Sequence, residues 1–158
     1  MPLTVPDDGL SFRAAREADL PALVAIFAAD ALGGHGDTTD GEAFADYVAA
    51  FHAIAAHPGT RLYVAELDGR VVGTFELVLA HSLPGRGARR AILEAVQVAP
   101  DLRGRGIGAR MVRHAMAEAR AAGAASLGLT SSRRREAAHR FYESLGFSSS
   151  HLGFKIAL

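Results

Sequence analysis

The run Arg103-Gly104-Arg105-Gly106-Ile107-Gly108 alternates arginine with glycine between an apolar segment ending at Val98 and a long amphipathic one. Glycines remove side chains so that backbone N–H groups can approach a ligand, and a helix starting there adds unpaired donors and a positive dipole end. The chemistry suits a phosphorylated ligand. A Walker loop would need Gly-Lys followed by Ser or Thr, but the only lysine is Lys155, near the end of the chain. A dinucleotide fingerprint needs its third glycine three residues after the second, and Gly106 and Gly108 are only two apart. The bland alternative is a tight strand-to-helix turn, which has no use for two arginines.

Other chemistries are excluded by what is missing. There is no cysteine, hence no disulfide, thiol nucleophile or thiolate metal site. None of the histidines is spaced as a ligand pair, so no metal is expected. Lysine and arginine balance aspartate and glutamate at 17 each, which argues against a nucleic-acid or membrane-surface partner. No apolar run approaches the ~20 residues of a membrane span. A soluble, cytoplasmic protein is expected.

The elements that must position the loop are legible from periodicity. The 158 residues, 49% of them apolar, suffice for one domain over 1–158, with 1–10 as a flexible lead-in. Ser11 to Ala14 reads as a strand. A first helix is capped by Asp19 and carries Leu20, Leu23, Val24, Phe27 and Ala31, and a second carries Phe44, Tyr47, Val48, Phe51 and Ala55. Asp68-Gly69 joins two strands, Arg61 to Leu67 and Arg70 to Ala80, as a type I′ hairpin. A third strand, Arg89 to Val98, leads into the glycine loop. The helix after it ends at Gly123, and the strand Ala125 to Thr130 should lie parallel to the one ending at Val98. A last helix spans Glu136 to Leu145. The alternation of Leu152, Phe154, Ile156 and Leu158 predicts a closing strand able to pair across a homodimer.

The loop resembles the Q/R-x-x-G-x-G/A signature of the GNAT superfamily of N-acetyltransferases. Arg13 through Leu23 resembles the family's opening strand and helix, Val72-Gly73 its glycine-bearing strand, and Phe141-Tyr142-Glu143-Ser144-Leu145-Gly146-Phe147 its F-Y-x-x-x-G-F ending. The order of elements matches over nearly the whole chain. The resemblance implies an α/β GNAT fold: a mixed, mainly antiparallel sheet of six to seven strands flanked by about four helices. It also implies acetyl-CoA as cosubstrate, its pyrophosphate held by backbone N–H groups of Arg103, Gly104, Arg105, Gly106, Ile107, Gly108 and Ala109. The strand holding Val96, Gln97 and Val98 should splay from its parallel neighbour to expose backbone groups for the pantetheine arm, with the Val96 N–H stabilising the oxyanion.

Acetyl transfer to an amine needs a base for the ammonium and an acid for the departing thiolate. Glu94, read in register with Ile92, Val96 and Val98, places a carboxylate on an apolar face where desolvation would raise its pKa; pairing with Arg89 or Arg90 at the sheet rim is the alternative. With a regular hairpin, Glu76 sits opposite Glu94 and either could serve. Tyr142 matches the family tyrosine that faces the coenzyme sulfur, which makes it the acid. The asparagine that many members carry before the aromatic pair is absent, and His139 is read as a surface partner of Glu143. Arg133 to Arg135 is read as a solvated run, with the coenzyme 3′-phosphate as its other use. The acceptor is expected at the loops Gly33 to Asp40 and His81 to Ala88, with His35 and Glu76 as contacts. These residues suit a small amino-acid-like or amino-sugar-like amine. A protein lysine or N-terminus, or a noncatalytic acyl-CoA-binding module, are the alternatives.

Overall fold

The structure is a computed structural model that describes residues 8–33 and 35–158. Residues 1–7 of the expected lead-in lie outside the described residues, and Leu10 already opens the first strand. The chain forms β1 (Leu10–Ala14), α1 (Leu20–Ala28), α2 (Phe44–Ala56), β2 (Thr60–Leu67), β3 (Arg70–Ala80), β4 (Arg90–Val98), α3 (Ile107–Ala121), β5 (Ser126–Gly128) and α4 (Glu136–Ser144). A single five-stranded sheet runs in the order β1-β2-β3-β4-β5. Its first four strands are antiparallel in succession, and β5 joins β4 in parallel because α3 carries the chain back between them. The β2–β3 turn has both central residues left-handed, Asp68 at φ 49° and Gly69 at φ 80°, as a type I′ hairpin requires.

Each face of the sheet buries an apolar layer. On one, α3 lays Met111, Val112 and Ala115 onto Phe75, Leu77 and Leu93, and α4 adds Phe141, Tyr142 and Leu145 at the edge of the same core. The approach is close at Gly73, where a Cβ would sit 2.6 Å from Met111 Sδ and 3.1 Å from the Gln97 carbonyl oxygen, so a side chain there would force the buried Met111 thioether to repack. On the other face, α1 and α2 bring Leu20, Leu23, Phe27, Val48 and Phe51 against Val64. Complete burial of a side chain such as Phe75 is worth about 1.5–3 kcal/mol relative to exposure.

Two expectations are corrected. Asp19 precedes α1 but its carboxylate does not cap that helix; it accepts from the Arg13 guanidinium at 2.7 and 2.9 Å and from the Arg16 N–H at 2.7 Å. The closing strand is absent, which is why the sheet has five strands rather than six or seven. Residues 148–158 have no regular secondary structure, and Leu152, Phe154, Ile156 and Leu158 are exposed. Alternation specifies which face a strand would bury, but a ladder needs a partner edge, and the neighbouring edge strand, β5, is three residues long.

Candidate active site

The glycine loop is built as an anion cradle. Gly104 (φ 75°) and Gly106 (φ 80°) are left-handed, and a Cβ at either would meet nothing within 4 Å, so backbone conformation rather than space demands glycine. Gly106 turns the chain into α3, whose first turn points the N–H groups of Ile107, Gly108 and Ala109 outward without intrahelical acceptors; Arg110 N–H already bonds Gly106 O at 3.2 Å. Buried Ile107 anchors this end, and Gly108 lies against Phe141 and Val98. Arg103 Nε donates to the Val98 carbonyl at 3.1 Å and folds the loop onto β4, whereas Arg105 is exposed and bonds no described residue.

Beside the loop the sheet opens. Pairing of β4 with β5 covers only Arg90, Ala91 and Ile92 against Ser126, Leu127 and Gly128. Past Ile92, the β4 edge on the β5 side, which includes Val96, Gln97 and Val98, has no strand beside it among the described residues, so its backbone groups could meet an extended ligand. Within this stretch β4 bulges. Thr74 pairs with Gln97 and Glu76 with Glu94, so β4 holds one more residue than β3, and Ala95 is left-handed at φ 51°.

The bulge corrects the register read from the sequence. Val96 and Val98 pack toward the α3 side, whereas Ile92 and Glu94 point to the α1 side, and Glu94 is exposed rather than set among apolar neighbours. The rim pairing is not formed either, because Arg89 donates to the Ala122 carbonyl instead. Glu94 does face Glu76 across the strands, and Glu76 is the more buried of the two. Burial raises the Glu76 carboxyl above its ordinary value, and the charge of Glu94 raises it further.

Tyr142 lies edge-on to Phe141 and Phe147 at 5.1 and 5.7 Å between ring centres. Burial raises its hydroxyl pKa, opposed in part by the Arg135 charge, so the phenol stays protonated at neutrality. His139 does not pair with Glu143; its Nε2 donates to the Ser132 carbonyl at 2.8 Å. Arg133 and Arg134 are exposed, but Arg135 is not part of a solvated run. It donates to Asp30 at 2.6 Å, and the same carboxylate oxygen accepts from Gln97 Nε2 at 2.8 Å. This cluster escapes sequence reasoning: Asp30 stands alone after α1, and neither partner is near it in the chain.

Of the expected acceptor contacts, His35 is exposed and, with Asp30, borders Gly33. Asp37 accepts from the Tyr47 hydroxyl at 2.8 Å, and Asp40 from the Glu42 N–H at 3.2 Å, so both tie down the loop before α2. Among the described residues no group of three or more His, Asp and Glu is gathered as a metal would require. The arrangement can grip an anion on backbone donors at one end of the open β4 edge. Near the bulge it offers a carboxylate able to take a proton, and α4 carries a protonated phenol able to give one.

The family model described as Acetyltransferase (GNAT) family matches residues 20–147. The chain is 36% identical over 119 residues, 75% of each chain, to an aminoalkylphosphonate N-acetyltransferase of Salmonella typhimurium. Among solved structures it resembles a transcriptional regulator from Bacillus halodurans C-125 (TM-score 0.90, 34% identity, 94% of this chain and 99% of that one). It also resembles a putative acetyltransferase from Agrobacterium tumefaciens (TM-score 0.81, 34% identity, the same coverage).

Proposed function

The chain belongs to the GNAT acetyltransferase family and is an acetyl-CoA-dependent acyltransferase, and from that premise we propose that it acetylates the primary amine of a small amino-acid-like or amino-sugar-like molecule by direct attack. The observation that carries this reading is the Glu76–Glu94 pair at the β4 bulge, where the strand edge is open. Acetyl-CoA supplies the activated acetyl group. Backbone N–H groups from Arg103 to Ala109 hold its pyrophosphate, and backbone groups of Val96 and Val98 receive the pantetheine arm.

Glu76, with a raised pKa and a neighbouring negative charge, draws the substrate ammonium and takes its proton, directly or through water. The freed amine forms the new N–C bond, the C–S bond breaks as Tyr142 gives its proton to the departing thiolate, and the excess proton left on the new amide nitrogen passes through water to the Tyr142 phenolate. Glu94 is the second carboxylate, holding the ammonium rather than serving as the main base. The product amide carries no charge to bind both carboxylates, which favours its release.

A small acceptor is supported by the tethered loop, in which Tyr47 holds Asp37 and the Thr38 N–H, and by the relative named for aminoalkylphosphonates. Arg90, exposed on the same face as Ile92 and Glu94, would meet an anionic group on such an acceptor, and exposed His35 in the loop before α2 would be a further contact. The chain acts as one domain. The balanced charge supports the absence of nucleic-acid and membrane partners, and the lack of cysteine fits a cytoplasmic setting. No helix among the described residues is long and apolar enough to cross a membrane. The exposed Leu152, Phe154, Ile156 and Leu158 support a homodimer in which each arm finds a strand edge on the other copy.

Thiol release from acetyl-CoA over a panel of amino acids, aminophosphonates, amino sugars and peptides tests the reading. Release with small amines, strongest for those bearing an anionic group, is expected. Release with peptides alone would move the assignment to a protein acetyltransferase. Coenzyme binding without release for any amine would make the chain a noncatalytic acyl-CoA-binding module.

A further inference from the structure

Asp30 joins three elements that are remote in sequence. Its side chain, only 12% exposed, stands just past α1, and its Oδ2 accepts both Arg135 Nη2 at 2.6 Å and Gln97 Nε2 at 2.8 Å. Burial alone would raise the Asp30 carboxyl, but the Arg135 and Gln97 hydrogen bonds prevail and hold it below the usual carboxylate range, so it is charged at neutrality. α1 belongs to one face of the sheet, whereas the aromatic residues of α4 pack in the core of the other. A contact between them has to pass the plane of the sheet. It does so beside Gln97, beyond the last β4–β5 pair at Ile92 and Gly128, where no strand blocks the way.

A buried ion pair is weak evidence for stability, because desolvation consumes much of its Coulombic gain. Its geometry does more. Arg135 is the residue from which α4 starts, and Tyr142 lies two turns further along the same helix, about 10 Å away at 1.5 Å per residue. Gln97 is the first residue past the β4 bulge to regain a β3 partner. One carboxylate oxygen therefore ties the start of the helix bearing the phenol to the strand that bulges.

We infer that Asp30 is a positioning residue, setting the Tyr142 hydroxyl relative to the β4 bulge through Arg135 and Gln97. The inference rests on Tyr142 being the acid. An error of about 1 Å in such a placement costs on the order of 10²-fold in rate, so partial loosening by an isosteric change should cost about tenfold.

The test is a double-mutant cycle on turnover, read by thiol release at saturating acetyl-CoA and acceptor. Asp30→Asn should lower kcat about tenfold, with the acetyl-CoA KM changed less than about threefold; in a Tyr142→Phe background it should cost less than about twofold, because the group it positions is gone. Arg135→Gln, on the more exposed partner, should show the same non-additivity and serves if Asp30→Asn folds poorly. Equal losses in both backgrounds would mean a merely structural role and overturn the inference, as would wild-type turnover in both variants. If Tyr142→Phe itself turns over normally, the acid reading falls and takes this inference with it. If Tyr142→Phe is slow while Asp30→Asn is additive, only the positioning role falls.

Discussion

The two ends of the open β4 edge are built from different materials. At the glycine loop the proposed binding groups are backbone N–H donors, fixed by left-handed Gly104 and Gly106 and by the first turn of α3. At the bulge the candidate groups are side chains: Glu76 of β3 and Glu94 of β4 face each other on the α1 side, and the proposed acid, Tyr142 of α4, belongs to the core of the opposite face. Backbone donors suit a ligand part common to a whole family, because they are indifferent to side-chain identity and sensitive only to conformation. Side chains suit the acceptor, since each substitution alters charge or shape at one point. The donor end should therefore tolerate loss of its charged side chains, and the acceptor end should not.

Glu76→Gln presses hardest on that contrast. It should lower kcat/KM about 30-fold, within the loss expected for a general base, and abolish the rise in rate as pH climbs through the raised Glu76 pKa. Glu94→Gln should instead keep that limb and move it to lower pH, because the neighbouring charge that helps hold the Glu76 pKa up is gone. Stability should move oppositely to activity. The folded-state pKa of Glu76 lies above its unfolded value, so ionised Glu76 destabilises the native state above both values and does not do so below both. Glu76→Gln should therefore raise stability at pH 7 by about 0.5 kcal/mol, the scale of a like-charge cross-strand pair, and leave it unchanged at pH 3. Denaturant titrations at the two pH values check the sign; a loss of stability at pH 7 would mean that Glu76 makes a favourable native contact.

The same contrast explains what was legible in the chain. The donor end is local: glycines, a strand before them and a helical period after them lie within one segment, and local signals suffice. The acceptor end depends on Ala95, an alanine at φ 51° with no glycine or proline to announce it. Left-handed alanine costs about 1–2 kcal/mol, and here tertiary pairing overrides local preference. That single inserted residue moves Val96 and Val98 to the face opposite Glu94, so counting by twos through the strand failed at the bulge. Asp30 and Arg135, 105 positions apart, carry no sequence signal linking them. The final alternation at Leu152 to Leu158 was legible as a face, but the edge it would pair with is not part of any local pattern.

At the donor end, Gly106→Val should raise the acetyl-CoA KM about tenfold, since forcing a β-branched residue into φ 80° costs about 1–3 kcal/mol and reorients the N–H groups that open α3. Thiol-release kinetics with acetyl-CoA varied would show it. A KM within twofold of wild type would mean that the loop conformation is not what binds.

Arg105→Ala is the smallest expected effect and the sharpest on the comparison. Arg105 is exposed and bonds no described residue, so its truncation unsatisfies nothing and breaks no packing. Its charge can reach a bound phosphate only through water and counterions, and an exposed ion pair is worth about 0.2–1 kcal/mol. The acetyl-CoA KM should therefore rise less than about fivefold at low salt, and raising ionic strength should shrink the difference further, because screening removes from the wild type what the mutation removes outright. A larger, salt-insensitive loss would place the Arg105 guanidinium in direct, desolvated contact with the ligand. Donor recognition would then depend on a side chain as acceptor recognition does, and the division of labour between the two ends would fail.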